Sequence, residues 1–159
     1  MGWMLQELPT PTLQDSGGAA LTGMSNPAAG FALDGYTSPI TGVFGARGLI
    51  IEIKDVNGGA AVAPSACVVG WRNTGSSAWT EDVNFASYKH NGGNLSANFW
   101  RNPSARLYVI PVCTGSLPWA GCFVYDEAKV HMTIGATANV FTPAFRAWVL
   151  RDDCTYSPK

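Results

Sequence analysis

Residues Arg106–Ile134 read RLYVIPVCTGSLPWAGCFVYDEAKVHMTI, and the fold turns on how this stretch is taken. Two runs rich in Val, Ile, Tyr and Phe flank a connection of Thr, Gly, Ser and Pro. Such runs form strands, because β-branched and aromatic side chains fit a pleated, half-buried surface. The stretch predicts a strand, a connection and a longer strand, paired as a β-hairpin. The connection exceeds what a tight turn requires, so it is expected on the surface, free to carry a contact. Cys113 and Cys122 stand at its ends. Opposed on neighbouring antiparallel strands they can bridge if the geometry allows, tightening the loop by roughly 2–3 kcal/mol. Reduced, buried cysteines are the equal alternative.

On the N-terminal side of this stretch lie shorter runs of the same kind. In Leu49–Val56, Leu49, Ile51 and Ile53 point one way while Ile50, Glu52 and Lys54 point the other. Asn57-Gly58-Gly59 ends that strand with residues that tolerate positive φ. Ala66–Arg72, Val83–His90 and Leu95–Trp100 read as further strands, each followed by a turn-forming segment. Ala128, Val130, Met132 and Ile134 form one apolar face, with Lys129, His131 and Thr133 opposite. Asp126 falls on the apolar side of that pattern, so a bulge or bend is expected near Asp126–Glu127. Phe145–Arg151 supplies the last strand. Seven or eight strands with turn signals at intervals of roughly 8–12 residues predict an all-β fold. The expected architecture is an antiparallel β-sandwich of jelly-roll or immunoglobulin-like (Ig-like) type over residues 47–159, with a barrel as the alternative.

Residues 1–46 differ. Gly and Pro recur too densely for long helices or central strands. Yet Trp3, Leu5, Leu8, Leu13, Phe31, Tyr36 and Phe44 are spread through the segment, and a solvated tail would be poor in such residues. The expectation is an extended N-terminal arm lying across another surface, either its own domain or a neighbouring subunit.

Charged residues make up only 13% of the 159, against roughly 25% in typical soluble domains. A surface short of charge points to coverage by other subunits, the interior of interfaces being depleted in charge. Net charge is −1 and no cluster of basic residues occurs, which argues against nucleic-acid binding and polybasic membrane attachment. No apolar run is long enough to span a bilayer as a helix.

Candidate chemistry is sparse. Glu127 and His131 share a strand face but lie about 13 Å apart, too far for a hydrogen bond. The acidic pairs at 81–82, 126–127 and 152–153 are adjacent residues, which on a strand point to opposite faces and form no catalytic dyad. No cysteine pair has zinc-site spacing, and nucleophile-elbow, P-loop and H-E-x-x-H motifs are missing. The reading is therefore of a non-enzymatic chain with neither cofactor nor metal. Trp79 and Trp119 lie in expected loops, where an aromatic ring can stack on a sugar or enter a partner's pocket.

Two resemblances add to this. Trp71–Trp79, WRNTGSSAW, is similar to the strand–turn–strand edge of several bacterial β-sandwich modules, carbohydrate-binding ones among them. That implies a glycan- or receptor-binding module, with a secreted location. The whole chain resembles in style the structural proteins of tailed-phage virions: capsid decoration (cement) proteins and tail or fibre subunits. This second resemblance implies function by assembly, as a homo-oligomer in contact with other structural proteins, in a virion put together in the host cytoplasm.

Overall fold

The computed structural model describes residues 3–25, 33–60, 62, 64–81, 100–102, 106–113, 122–135 and 139–152. Among these there is no helix, and the strands form two antiparallel sheets. The strands are β1 (Trp3–Glu7), β2 (Leu13–Gln14), β3 (Asp34–Thr37), β4 (Ile40–Thr41), β5 (Gly48–Asp55) and β6 (Pro64–Arg72). They continue with β7 (Thr80–Glu81), β8 (Trp100–Asn102), β9 (Leu107–Cys113), β10 (Glu127–Ile134) and β11 (Pro143–Asp152). The first sheet runs β1-β11-β5-β9-β8. The second runs β2-β3-β10-β6-β7, with β4 also paired to β10.

Both sheets contribute to one buried cluster, a sandwich-like arrangement. Leu49, Ile51 and Ile53 of β5, Ile110 of β9, and Phe145, Ala147 and Val149 of β11 face it from the first sheet. Cys67, Val69 and Trp71 of β6, and Ala128, Val130, Met132 and Ile134 of β10, face it from the second. Alternation produces this directly, since every second side chain of a strand points to the same side. The Trp71 ring packs on Phe123, with centroids 4.7 Å apart.

The expected hairpin is absent. β9 pairs with β5 and β8 in the first sheet, while β10 pairs with β3, β4 and β6 in the second. Strand-forming composition fixes neither partner nor sheet, and the long connection lets consecutive strands part. Cys122, at the far end of that connection, carries a free, exposed thiol, and the Cys113 side chain lies outside the described residues. The chain does bend at Asp126, whose carboxylate accepts the Thr74 N–H at 3.0 Å, and β10 begins one residue later.

The span read as an extended arm is woven into both sheets. β1 pairs with β11 from Trp3↔Asp152 to Glu7↔Trp148, and β2, β3 and β4 belong to the second sheet. Leu8, Leu13, Met24, Ile40 and Val43 are buried in the common core. Met24 and Phe141, both wholly buried, exchange two backbone hydrogen bonds of 2.8 and 2.7 Å. A Cβ on Gly35 would lie 2.7 Å from the Met24 sulfur, so only glycine lets β3 approach this closely. The expected strands Val83–His90 and Leu95–Trp100 lie outside the described residues, apart from Trp100, which opens β8.

Candidate functional site: two unlike outer faces

The outer face of the second sheet carries a stack of alternating rings and cations. His131 lies opposite Tyr36 in the β10–β3 register, and their rings stack at 4.3 Å, tilted by 11°. Lys129, two residues along β10, sets its Nζ 4.6 Å from the centroids of both Tyr36 and Trp79. Arg72 places its guanidinium 4.2 Å from the Trp79 centroid and donates from Nε to Glu127 Oε2 at 2.6 Å. At the other end Asp34 accepts from Thr133 Oγ1 at 2.9 Å and lies 3.1 Å from His131 Nε2. Each cation over a ring is worth about 0.5–1 kcal/mol at such exposed sites.

Beside this stack lies a cleft of about 280 Å³, walled by Tyr36, Trp79, Lys129 and Arg72 on one side and by Gln14–Gly18 on the other. Asp15 shapes the second wall, its Oδ1 accepting the N–H groups of Gly17 and Ala19 at 2.8 Å each. The cleft is polar. The Tyr36 ring already meets His131 and Lys129, and Trp79 already meets two cations. A pyranose seeking a ring to stack on would have to displace one of them. Glu127 and His131 have separate partners, and no cluster of three or more His, Cys, Asp or Glu suited to a metal occurs among the described residues.

The outer face of the first sheet is different in kind. Leu5, Leu150, Trp148, Ile50, Val109 and Leu107 occupy its outward positions, all exposed or half-buried, with Leu5 at 55%. Charge enters mainly through Glu7, Arg146, Glu52 and Lys54. Glu7 Oε1 accepts from Arg146 Nε at 2.9 Å, and that bond holds the Glu7 carboxyl below its ordinary value. The same guanidinium lies 4.7 Å from the Trp148 centroid. Met4 is 48% exposed on the other side of β1, so this edge strand shows large apolar side chains on both faces. Phe44 and Val124 are exposed as well. Arg151 fixes the turn carrying Phe44 by donating to the Gly42 and Phe44 carbonyls at 2.5 and 2.9 Å.

Of the residues singled out from sequence, Tyr36 and Trp79 meet in the stack, while Leu5 and Phe44 are exposed apolar residues of the first kind of surface. Leu8 and Leu13 are core. Trp3 lies in β1, and Phe31 and Trp119 fall outside the described residues. Lys129, Arg72 and Leu150 of β11 were not singled out; their roles depend on neighbours from distant strands. Compared with protein-family models, curated proteins and solved structures, the chain matches none.

Proposed function

We propose that this protein is a non-enzymatic structural subunit of a larger assembly, of the kind from which virions are built as capsid decoration or tail components. One observation carries the reading: the two outer faces differ. The second sheet's outer face is polar and satisfied by its own ion pairs and ring contacts, whereas the first sheet's sets Leu5, Leu150, Trp148, Ile50, Val109 and Leu107 beside four charged side chains. Single exposed apolar residues are ordinary, but a contiguous set marks an interaction surface. A charged fraction of 13% agrees with that use.

A jelly-roll is part of the proposal. With β2, β4 and β8 set aside and the two-residue β7 kept, eight strands remain among the described residues. Counted in chain order, one sheet runs first, eighth, third, sixth, and the other second, seventh, fourth, fifth. That order supports two interlocked Greek keys, an architecture used by capsid and lectin domains alike. In this reading the role first given to an N-terminal arm falls to β1, the part of residues 1–46 that presents exposed apolar side chains at a sheet edge.

Light scattering behind a sizing column tests the proposal. The expected result is a defined oligomer that Ile50→Glu converts to a smaller species with an unchanged far-UV spectrum. A wild-type monomer at every concentration overturns it. The competing reading, a glycan- or receptor-binding module, is favoured by the cleft beside Trp79. It gains only if the monomer binds a glycan and Trp79→Ala abolishes that binding.

A further inference from the structure

We infer that β1 pairs edge to edge with β1 of a second copy, antiparallel, about a two-fold axis through Leu5. The inference rests on the assembly reading above and names its partner and register. It begins from the sheet edges. Among the described residues each sheet ends in two strands, and one of these, β2, has only two residues with described chain on both sides. Short edge strands are one of the ways in which proteins prevent unwanted pairing. β1 is built differently. It has five residues, WMLQE, in unbroken register with β11, and contains no Lys, Pro or bulge to guard it. Met4 and Leu5 are exposed on its opposite faces.

Backbone direction fixes which residues can pair outward. The Leu8 N–H donates to the Ala147 carbonyl at 2.8 Å, so even-numbered residues of this strand turn their amide groups towards β11. Trp3, Leu5 and Glu7 turn theirs to the edge that no strand among the described residues covers. A two-fold axis at Leu5 sets Leu5 opposite Leu5 of the partner and Trp3 opposite Glu7. Every outward amide then finds a partner, giving about six backbone hydrogen bonds. Centring the axis two residues either way leaves some of them unmatched.

Side chains agree with this register. Leu5 meets its own copy on the outer face, extending the apolar surface that includes Leu150 and Trp148. Met4 meets Gln6 on the opposite face. The two Glu7 residues fall about 13 Å apart along the strands, so like charges do not oppose each other. Each Glu7 also keeps Arg146 as its ion-pair partner. The result is one continuous sheet, five strands from each copy, built by a self-complementary contact that closes at two subunits.

Cysteine cross-linking of the full chain, in a Cys122→Ser background, tests the register. Residues in a hydrogen-bonded antiparallel pair have Cα atoms about 5.5 Å apart, within disulfide range. Under a mild thiol oxidant, Leu5→Cys is expected to give a reducible dimer by itself. Met4→Cys and Gln6→Cys are expected to cross-link only when the two chains are mixed. Leu5→Pro removes an outward N–H that β11 does not use. It is expected to abolish the dimer while leaving the far-UV spectrum and cooperative unfolding intact. An oligomer by light scattering in which neither Leu5→Cys nor the mixture cross-links overturns the β1 contact alone. A monomer overturns the assembly reading with it.

Discussion

Asp55 and Arg106 face each other where β5 ends and β9 is about to begin, carboxylate to guanidinium at 3.9 Å, and together they hold a loop that contains neither of them. Asp55, almost wholly buried, accepts the N–H groups of Asn57 and Thr142 at 3.1 Å each. Arg106 donates to the Asn57 and Gly59 carbonyls at 2.5 and 2.7 Å. Its backbone has φ 54°, a conformation that a side chain tolerates at a cost of about 1–2 kcal/mol. The Asp55 N–H donates to the Arg106 carbonyl at 3.0 Å, so the turn and the ion pair support each other.

Replacing Asp55 by Ala takes this acceptor from three backbone N–H groups, those of Asn57, Thr142 and the buried Val62, and the carboxylate from Arg106. The expected loss is about 2–4 kcal/mol, measured by urea denaturation. Arg106→Gly relieves the backbone but removes both carbonyl contacts, and is expected to be milder. If Asp55→Ala is silent, the loop is held by something else.

The N-terminal strands give a second prediction. Gly35→Ala forces a methyl group against Met24 and Leu13, and is expected to cost about 1–3 kcal/mol by overpacking. Removing residues 1–46 strips Leu13, Met24, Ile40 and Val43 from the core and β1 from the first sheet. The remainder is expected to show no cooperative thermal transition. A stable remainder would return that segment to the status of an arm.

Two thiols should behave oppositely. Cys122 is exposed and is expected to react with a thiol reagent in the native protein, whereas Cys67 should react only after unfolding. Burial pushes the Cys67 thiol from 9.0 up to about 12. Below pH 9.0 both folded and unfolded chains keep this proton, and its contribution to stability is complete. As pH rises from 9.0 towards 12 the unfolded chain loses the proton first, so that contribution is progressively lost. Cys67→Ala is expected to flatten the fall in stability over this interval relative to its own value at neutral pH. An unchanged slope would refute the assignment.

The long strands were legible because they are long and two-faced. Leu49–Val56, Ala66–Arg72 and Phe145–Arg151 match β5, β6 and β11 to within about two residues, and the face Ala128 to Ile134 is buried as expected. Pairing was not legible. VIPVC and EAKVHM each announce a strand, but nothing local says that β9 and β10 belong to different sheets. β1 to β4 were hidden for another reason: they are two to five residues long, lie among Gly and Pro, and mostly pair with β10 or β11. Trp79 could be found as a lone aromatic after a turn. Lys129 could not, since its two rings come from β3 and from the approach to β7.

In the first sheet β11 lies between β1 and β5, and in the second β10 lies between β3 and β6. β11 and β10 are thus both synthesised after the strands that they join. At ribosomal speed β1 waits on the order of ten seconds for the strand that will hold it. Until then β1 has no partner in the first sheet, and β3 and β6 have no strand to join them in the second. A product cut short before β11 would have no β1–β11 pair and so no ordered edge to offer. The order of synthesis thus acts as an inspection step, in which only copies that reach β11 acquire the surface by which they would join.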